Sequence, residues 1–143
     1  MKIIDGTNLV LGRLGARISK YLLSGEQVVV INAENVAIVG EADAVVERYW
    51  NRRQRKDKAN PEHSMHWSRR PDLFVKRCIR GMLPYKRATG RKAYRLLRVY
   101  VGEPAQFKNA AKEDMSTINC TNVKSRYIHA GEVCERLGYN KGV

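Results

Sequence analysis

Val28-Val29-Val30-Ile31 is the stretch on which the fold turns. Four β-branched residues in a row favour a strand, because their stiff side chains suit a pleated surface. No polar residue alternates with them. Both faces of such a strand need apolar cover, the condition of a parallel sheet flanked by helices. Before it, Leu11, Leu14, Ile18 and Leu22 recur at helical spacing, and Gly25 supplies a stop. Lys2-Ile3-Ile4 reads as a short strand ahead of that helix. After it, residues 36–39 form a second short apolar run closed by Gly40. Strand, helix and strand in this order predict an α/β layered fold.

The chain has 143 residues, which suits one domain over 1–143 with a real core. No run approaches the roughly 20 apolar residues of a membrane span, so no membrane role is expected. Met1-Lys2-Ile3-Ile4-Asp5-Gly6 lacks the apolar run and cleavage site of a secretory signal. Cys78, Cys120 and Cys134 are odd in number and far apart. Neither a disulfide framework nor a zinc knuckle is indicated, and a reducing cytosol is the expected compartment. The net charge is +13, from 27 Lys+Arg against 14 Asp+Glu. So basic a balance points to a polyanion, most commonly nucleic acid.

The charge is concentrated. Residues 48–98 hold 17 Lys+Arg and 3 acids, a surplus of 14, and the rest of the chain is almost neutral. An ordinary solvated face would mix the signs. Arg dominates the segment, and Arg forks onto phosphate and stacks on bases. Ala42, Val45, Val46, Tyr49 and Trp50 follow the spacing of a buried helical stripe. That helix is expected to continue through 51–60, where only Ala59 is apolar, as a projection ordered mainly by RNA. A loop containing Pro61 and His63-Ser64-Met65-His66-Trp67 follows. Pro71 then opens a helix through Leu83, with Phe74, Val75, Cys78, Ile79 and Met82 as its apolar face and Lys76, Arg77 and Arg80 on another. Pro84 ends it, and residues 84–92 read as a basic loop around Gly90. Leu97, Val99 and Val101 alternate with Arg98 and Tyr100 as a strand. A short helix is expected over residues 131–137, with Gly138 behind it.

Features that suggest chemistry have plainer readings. Gly6, Gly12 and Gly15 match neither GxxxxGK[ST] nor GxGxxG, so turns and close helix packing explain them better than a phosphate loop. His63 and His66, with Cys78 at a distance, do not make a structural zinc set. His66 and Trp67 suit stacking at an RNA surface or packing beneath the loop, and Trp67 equally suits the core. His129 reads as structural, and Cys78 and Cys134 read as small core hydrophobes. A catalytic thiol needs a nearby base, and none is visible. Asp57, Glu62 and Asp72 are too scattered for a metal-dependent nuclease. No catalytic residue, metal, cofactor or small-molecule substrate is expected.

Gly81-Met82-Leu83-Pro84-Tyr85-Lys86-Arg87-Ala88-Thr89-Gly90-Arg91 resembles the Gly-Met-Leu-Pro and Gly-Arg signature of the L-thirteen family of large-subunit ribosomal proteins. Three further pieces fall in order. Leu11-Gly12-Arg13-Leu14 is similar to the family's first-helix motif, the stretch 28–34 to its central strand, and the stretch 97–102 to the strand after the basic loop. Bacterial members carry a leading extension and a His-Pro-His run before a Gln; here Gly102-Glu103-Pro104-Ala105-Gln106 has no His, so the chain looks like the archaeal branch. The resemblance implies a three-layer α/β/α fold around a mainly parallel sheet of about four strands. It also implies a place on the large subunit in the cytoplasm, against its rRNA and neighbouring ribosomal proteins, and no enzyme activity.

The resulting expectation is a structural rRNA-binding protein. Its phosphate contacts would be Arg52, Arg53, Arg55, Lys56, Lys58, Arg69, Arg70, Lys76, Arg77, Arg80, Lys86, Arg87, Arg91, Lys92 and Arg95. Such contacts supply affinity by counterion release, with specificity coming mostly from RNA shape. Two other classes would leave different marks. A nucleic-acid enzyme needs a carboxylate cluster or a true phosphate loop. A DNA-compacting protein would prefer duplex DNA over structured RNA at matched salt. The tail after Asn109 is left without a role.

Overall fold

In a computed structural model, which describes residues 1–140, the chain forms the expected layered α/β arrangement. Its elements are β1 (Lys2–Asp5), α1 (Leu11–Leu23), β2 (Val28–Ile31), β3 (Ala37–Val39), α2 (Ala42–Gln54), α3 (Pro71–Arg80), α4 (Ala88–Arg95), β4 (Leu97–Val99), β5 (Tyr127–His129) and α5 (Ala130–Arg136).

The Val28–Ile31 strand sits in the middle of a three-stranded parallel sheet, ordered β1-β2-β4, and all four of its residues are buried. One face, with Val28 and Val30, joins the main core with Leu14, Ile18 and Leu22 of α1, Phe74, Val75 and Ile79 of α3, and Val133 of α5. The other face, with Ile3, Val29 and Ile31, is covered by Phe107 and Ala110. The layers are therefore unequal: helices on one side, and a short irregular segment around the 3-10 turn Ala105–Phe107 on the other.

The sheet differs in one respect from the expected four strands. β3 leaves it and pairs antiparallel with β5, Ile38 opposite Ile128. The tail after Asn109 supplies β5 and, with Ala110, part of the cover for the second face. Helix α1 matches its expected span, and the positive φ of 85° at Gly25 explains the stop.

Two helix boundaries correct the sequence reading. Helix α2 ends at Gln54 instead of projecting through residue 60. Extending it would place Arg52 against Arg55 and Lys56 at i+3 and i+4, a like-charge arrangement that opposes helix. Asp57 captures the chain instead, its Oδ1 accepting from the backbone N–H groups of Ala59 (3.0 Å) and Asn60 (3.1 Å). Trp50, placed in the buried stripe, is 47% exposed, and only Val45 and Tyr49 of the helix are fully buried. The second correction concerns residues 84–92. Their second half is helix α4, which buries Gly90 and Ala93 at i, i+3. Helix α3 stops at Arg80, so Leu83 enters the core from the following turn while Met82 stays largely exposed.

Candidate nucleic-acid interface

The basic segment is tied to the core by aromatic rings. Tyr49 packs edge-on to Phe74 at 4.7 Å between ring centres, and Trp67 lies 5.5 Å from Tyr49. Tyr85 meets Tyr94 edge-on at 5.3 Å, joining the turn after α3 to α4. Turns close the remaining gaps: the backbone N–H of Asp57 donates to Ser64 Oγ at 3.0 Å, closing the loop between α2 and Trp67.

These rings also orient the cations. The Arg52 guanidinium lies 5.2 Å from the Tyr49 ring centre and 5.4 Å from that of Trp67. Arg77 lies 5.6 Å from Trp67, Arg80 lies 4.7 Å from Tyr85, and the Lys76 ammonium lies 5.1 Å from Tyr94. A cation over an aromatic face gains about 0.5–1 kcal/mol at an exposed site and keeps its full charge. A carboxylate would fix the same side chain but cancel its charge.

Among the described residues, Arg70 is the one cation of the seventeen in 48–98 that forms an ion pair, with Asp72 at 2.8 Å. Outside the segment, four of the described cations are ion-paired. Lys2 pairs with Glu26 and Glu113, Lys112 with Asp5 and Glu103, Arg126 with Glu41, and Arg136 with Asp43 and Glu132. The crowding of like charge has a local signature at Lys76. Burial and the neighbouring Arg98 pull its ammonium below the ordinary lysine value, against the opposite pull of Asp72.

The candidate residues fall into groups with different work. Arg55, Lys56 and Lys58 are exposed on the loop after α2, and Lys86, Arg87, Arg91, Lys92 and Arg95 are exposed along the turn before α4 and on α4 itself. Lys76, Arg77 and Arg80 occupy one side of α3, half-buried. Arg53 and Arg69 are engaged by the fold. Arg53 donates to the Leu137 carbonyl at 3.0 Å and Arg69 to that of Gly138 at 3.4 Å. Both carbonyls lie just beyond α5, where guanidinium groups satisfy unpaired acceptors and oppose the negative end of the helix. They pin the basic segment to α5.

One basic stripe escaped the sequence reading. Arg13, Arg17 and Lys20 are all exposed on α1 at i, i+4 and i+7. A charge count by segment hides them among acids elsewhere in the chain; a helical projection of the basic residues would have found them.

His66 is exposed, and Trp67 is half-buried with its indole N–H directed at Met65 Sδ, 3.3 Å away. His129 Nδ1 lies 3.1 Å from the Asn35 carbonyl, in keeping with a structural role. Cys78 is half-buried beside the Tyr49 hydroxyl (3.9 Å), and burial pushes its thiol up. Cys134 is fully buried and its thiol is pushed up to about 12. Among the described residues no group of three or more His, Cys, Asp and Glu is placed to hold a metal, and no helix is long and apolar enough to cross a membrane.

The Gly-Met-Leu-Pro run has a structural reading. A Cβ on Gly15 of α1 would lie 2.5 Å from Met82 Sδ, so the missing side chain makes room for Met82. Leu83 is buried, and the Pro84 carbonyl rests where a Cβ on Gly90 would be. The run thus locks the turn after α3 against α1 and α4.

The chain matches the family model described as Ribosomal protein L13 over residues 1–106. It is 40% identical to Large ribosomal subunit protein uL13 of Methanosarcina barkeri, with 96% of this chain and 98% of the relative covered. It is 38% identical to the protein of that name from Methanocaldococcus jannaschii, again over 96% and 98%, and 38% identical to that from Methanopyrus kandleri over 96% and 86%. These relatives are archaeal, in agreement with the branch that the missing His run indicates. The chain belongs to the ribosomal protein L13 family: a structural protein of the translating ribosome in the cytoplasm, and not an enzyme.

Proposed function

We propose that this chain is anchored in the large ribosomal subunit by its rRNA and supports the subunit's assembly, with neighbouring large-subunit proteins as its second class of partner. The observation that carries this reading is the set of cations oriented by aromatic rings and left without carboxylates, in a segment where 17 Lys+Arg stand against 3 acids. Unpaired like charge destabilises a compact protein unless a polyanion neutralises it. Three surfaces meet the RNA: the loop with Arg55, Lys56 and Lys58; the α3 side with Lys76, Arg77 and Arg80; and the 86–95 stretch with Lys86, Arg87, Arg91, Lys92 and Arg95. Arg52 reinforces the second and Arg70 borders it. Arg53 and Arg69 contribute field and anchorage more than direct phosphate contact. The α1 stripe of Arg13, Arg17 and Lys20 forms a fourth surface. Spread over several elements, these surfaces read RNA by shape and backbone.

The test is the salt dependence of binding between the isolated chain and a large-subunit rRNA fragment. If about 6–10 phosphates are neutralised, affinity falls roughly 10³–10⁵-fold between about 50 and 200 mM salt. Replacing Arg55, Lys56 and Lys58 with alanine should reduce the logarithmic slope by about 1 for each lost contact. A nearly salt-independent affinity would refute this reading.

A further inference from the structure

A cleft of about 590 Å³ opens between α1, β3, α2 and α3. Its floor is apolar, formed by Leu11, Ile38, Val39 and Met82. Its walls carry Arg52, Arg77 and Arg80, none of them ion-paired among the described residues, together with the half-buried ring of Trp67. The volume is that of a ligand site, within the usual range of about 300–1,000 Å³.

Gly12 lines the same cleft and adds a second observation. A Cβ there would meet nothing within 4 Å, whereas one on Gly15 would strike Met82 Sδ at 2.5 Å. Packing within the chain explains Gly15 and gives no reason for Gly12. Glycine weakens a helix relative to alanine, and this one keeps empty space beside the cleft.

We propose that this cleft receives an unstacked nucleobase of the bound RNA, lying against Trp67 and the apolar floor while Arg52, Arg77 and Arg80 take the flanking phosphates. The inference rests on the RNA-binding reading above and names a site within it. The chemistry selects the occupant. An apolar side chain of a protein partner would leave three cations unanswered, and an acidic peptide would leave the apolar floor bare. A nucleotide has both a flat π face and an anion, and splayed-out bases stack on aromatic rings and guanidinium planes.

The test uses the full chain carrying Trp50→Phe, which leaves Trp67 as the single tryptophan. Two RNA hairpins of the same stem are compared at matched salt, one fully paired and one with a single unpaired adenosine. The bulged hairpin should bind roughly 10- to 100-fold more tightly, the range that one stacked base provides, and it alone should quench Trp67 emission. Gly12→Leu, which adds a good helix former in open space, should abolish that preference while leaving affinity for the paired hairpin unchanged and the melting temperature no lower than wild type. Equal affinity for the two hairpins overturns the base site but leaves RNA binding intact. Failure to bind either hairpin overturns the RNA-binding reading as well. A preference that survives Gly12→Leu places the base elsewhere and overturns the proposal. A Trp67 response to RNA-free large-subunit proteins, with none to the bulge, overturns it in favour of a protein occupant.

Discussion

Replacing Gly90 with alanine separates two effects of opposite sign. Gly90 lies inside α4, where alanine is favoured over glycine by about 0.8–1 kcal/mol on propensity alone. Packing reverses this. The added Cβ would fall on the Pro84 carbonyl and 2.9 Å from the Tyr85 backbone nitrogen. These are backbone atoms of a turn held by the buried Leu83 and by the Arg87 N–H bonded to Pro84 O at 2.9 Å, so no flexible side chain can yield. Overpacking of this kind costs typically about 1–3 kcal/mol, and rigid backbone argues for the upper end. The net is a loss of about 1–2 kcal/mol, or about 3–8 °C in melting temperature for a chain of this size. Gly12→Ala is the internal control: its Cβ meets nothing within 4 Å, so propensity acts alone and the chain should gain up to about 1 kcal/mol. Thermal melts followed by circular dichroism at fixed pH and salt provide the readout. A Gly90→Ala chain that melts at or above wild type would refute the claim that the 84–90 turn is locked against α4.

The other expectations divide structural from RNA-facing residues and test the buried thiols and a carboxylate. Replacing Arg55, Lys56 and Lys58 together should leave the melt nearly unchanged while weakening rRNA binding at least tenfold, because exposed substitutions are usually within about 0.5 kcal/mol each. Arg53→Ala should instead cost about 1 kcal/mol of stability, since it releases the Leu137 carbonyl; an unchanged melt would show that this bond contributes nothing. Burial, with smaller effects from Cys78, Asp72 and Glu135, raises the Cys134 thiol to about 12, so iodoacetamide at about pH 8 should modify it only after unfolding; equal labelling of native and denatured chain would contradict its burial. Burial pushes the Asp5 carboxyl up, but hydrogen bonds from Asn32 and Thr7 and the charge of Lys112 more than reverse this, leaving it below the ordinary 3.8. Its stabilisation is therefore present above that value and lost as pH falls through the depressed folded value. The urea midpoint of Asp5→Asn should accordingly drop less than that of wild type between about pH 7 and pH 3.

Strands β1 to β4 and helix α1 were legible because their signals are local. A continuous β-branched run and a four-residue apolar stripe need no partner to be recognised. The end of α2 was not, because it depends on Asp57 outcompeting the helix for two backbone N–H groups and on repulsion among Arg52, Arg55 and Lys56. Helix α4 was hidden because a glycine usually marks a turn, whereas here it marks a close approach of the Pro84 backbone. Strand β5 has only three residues and finds its partner, β3, some ninety positions earlier; no local pattern reveals such a pairing. The basic segment was visible as a block. Its division into exposed loops, ring-oriented cations and the two α5-capping arginines required knowing that Trp67 returns to Tyr49 and that α5 ends beside Arg53 and Arg69. The α1 stripe was legible in principle and was masked by counting charge along the chain instead of around the helix.

The most direct measurement is incorporation into large subunits that lack this protein. Wild-type chain and a folded variant with Arg55, Lys56, Lys58, Lys86, Arg87 and Arg91 changed to alanine are added to such subunits, washed at high salt and sedimented. The wild type should travel with the subunit through the wash, and the variant should remain at the top of the gradient. Equal retention of both would contradict the claim that these unpaired cations hold the protein on its RNA.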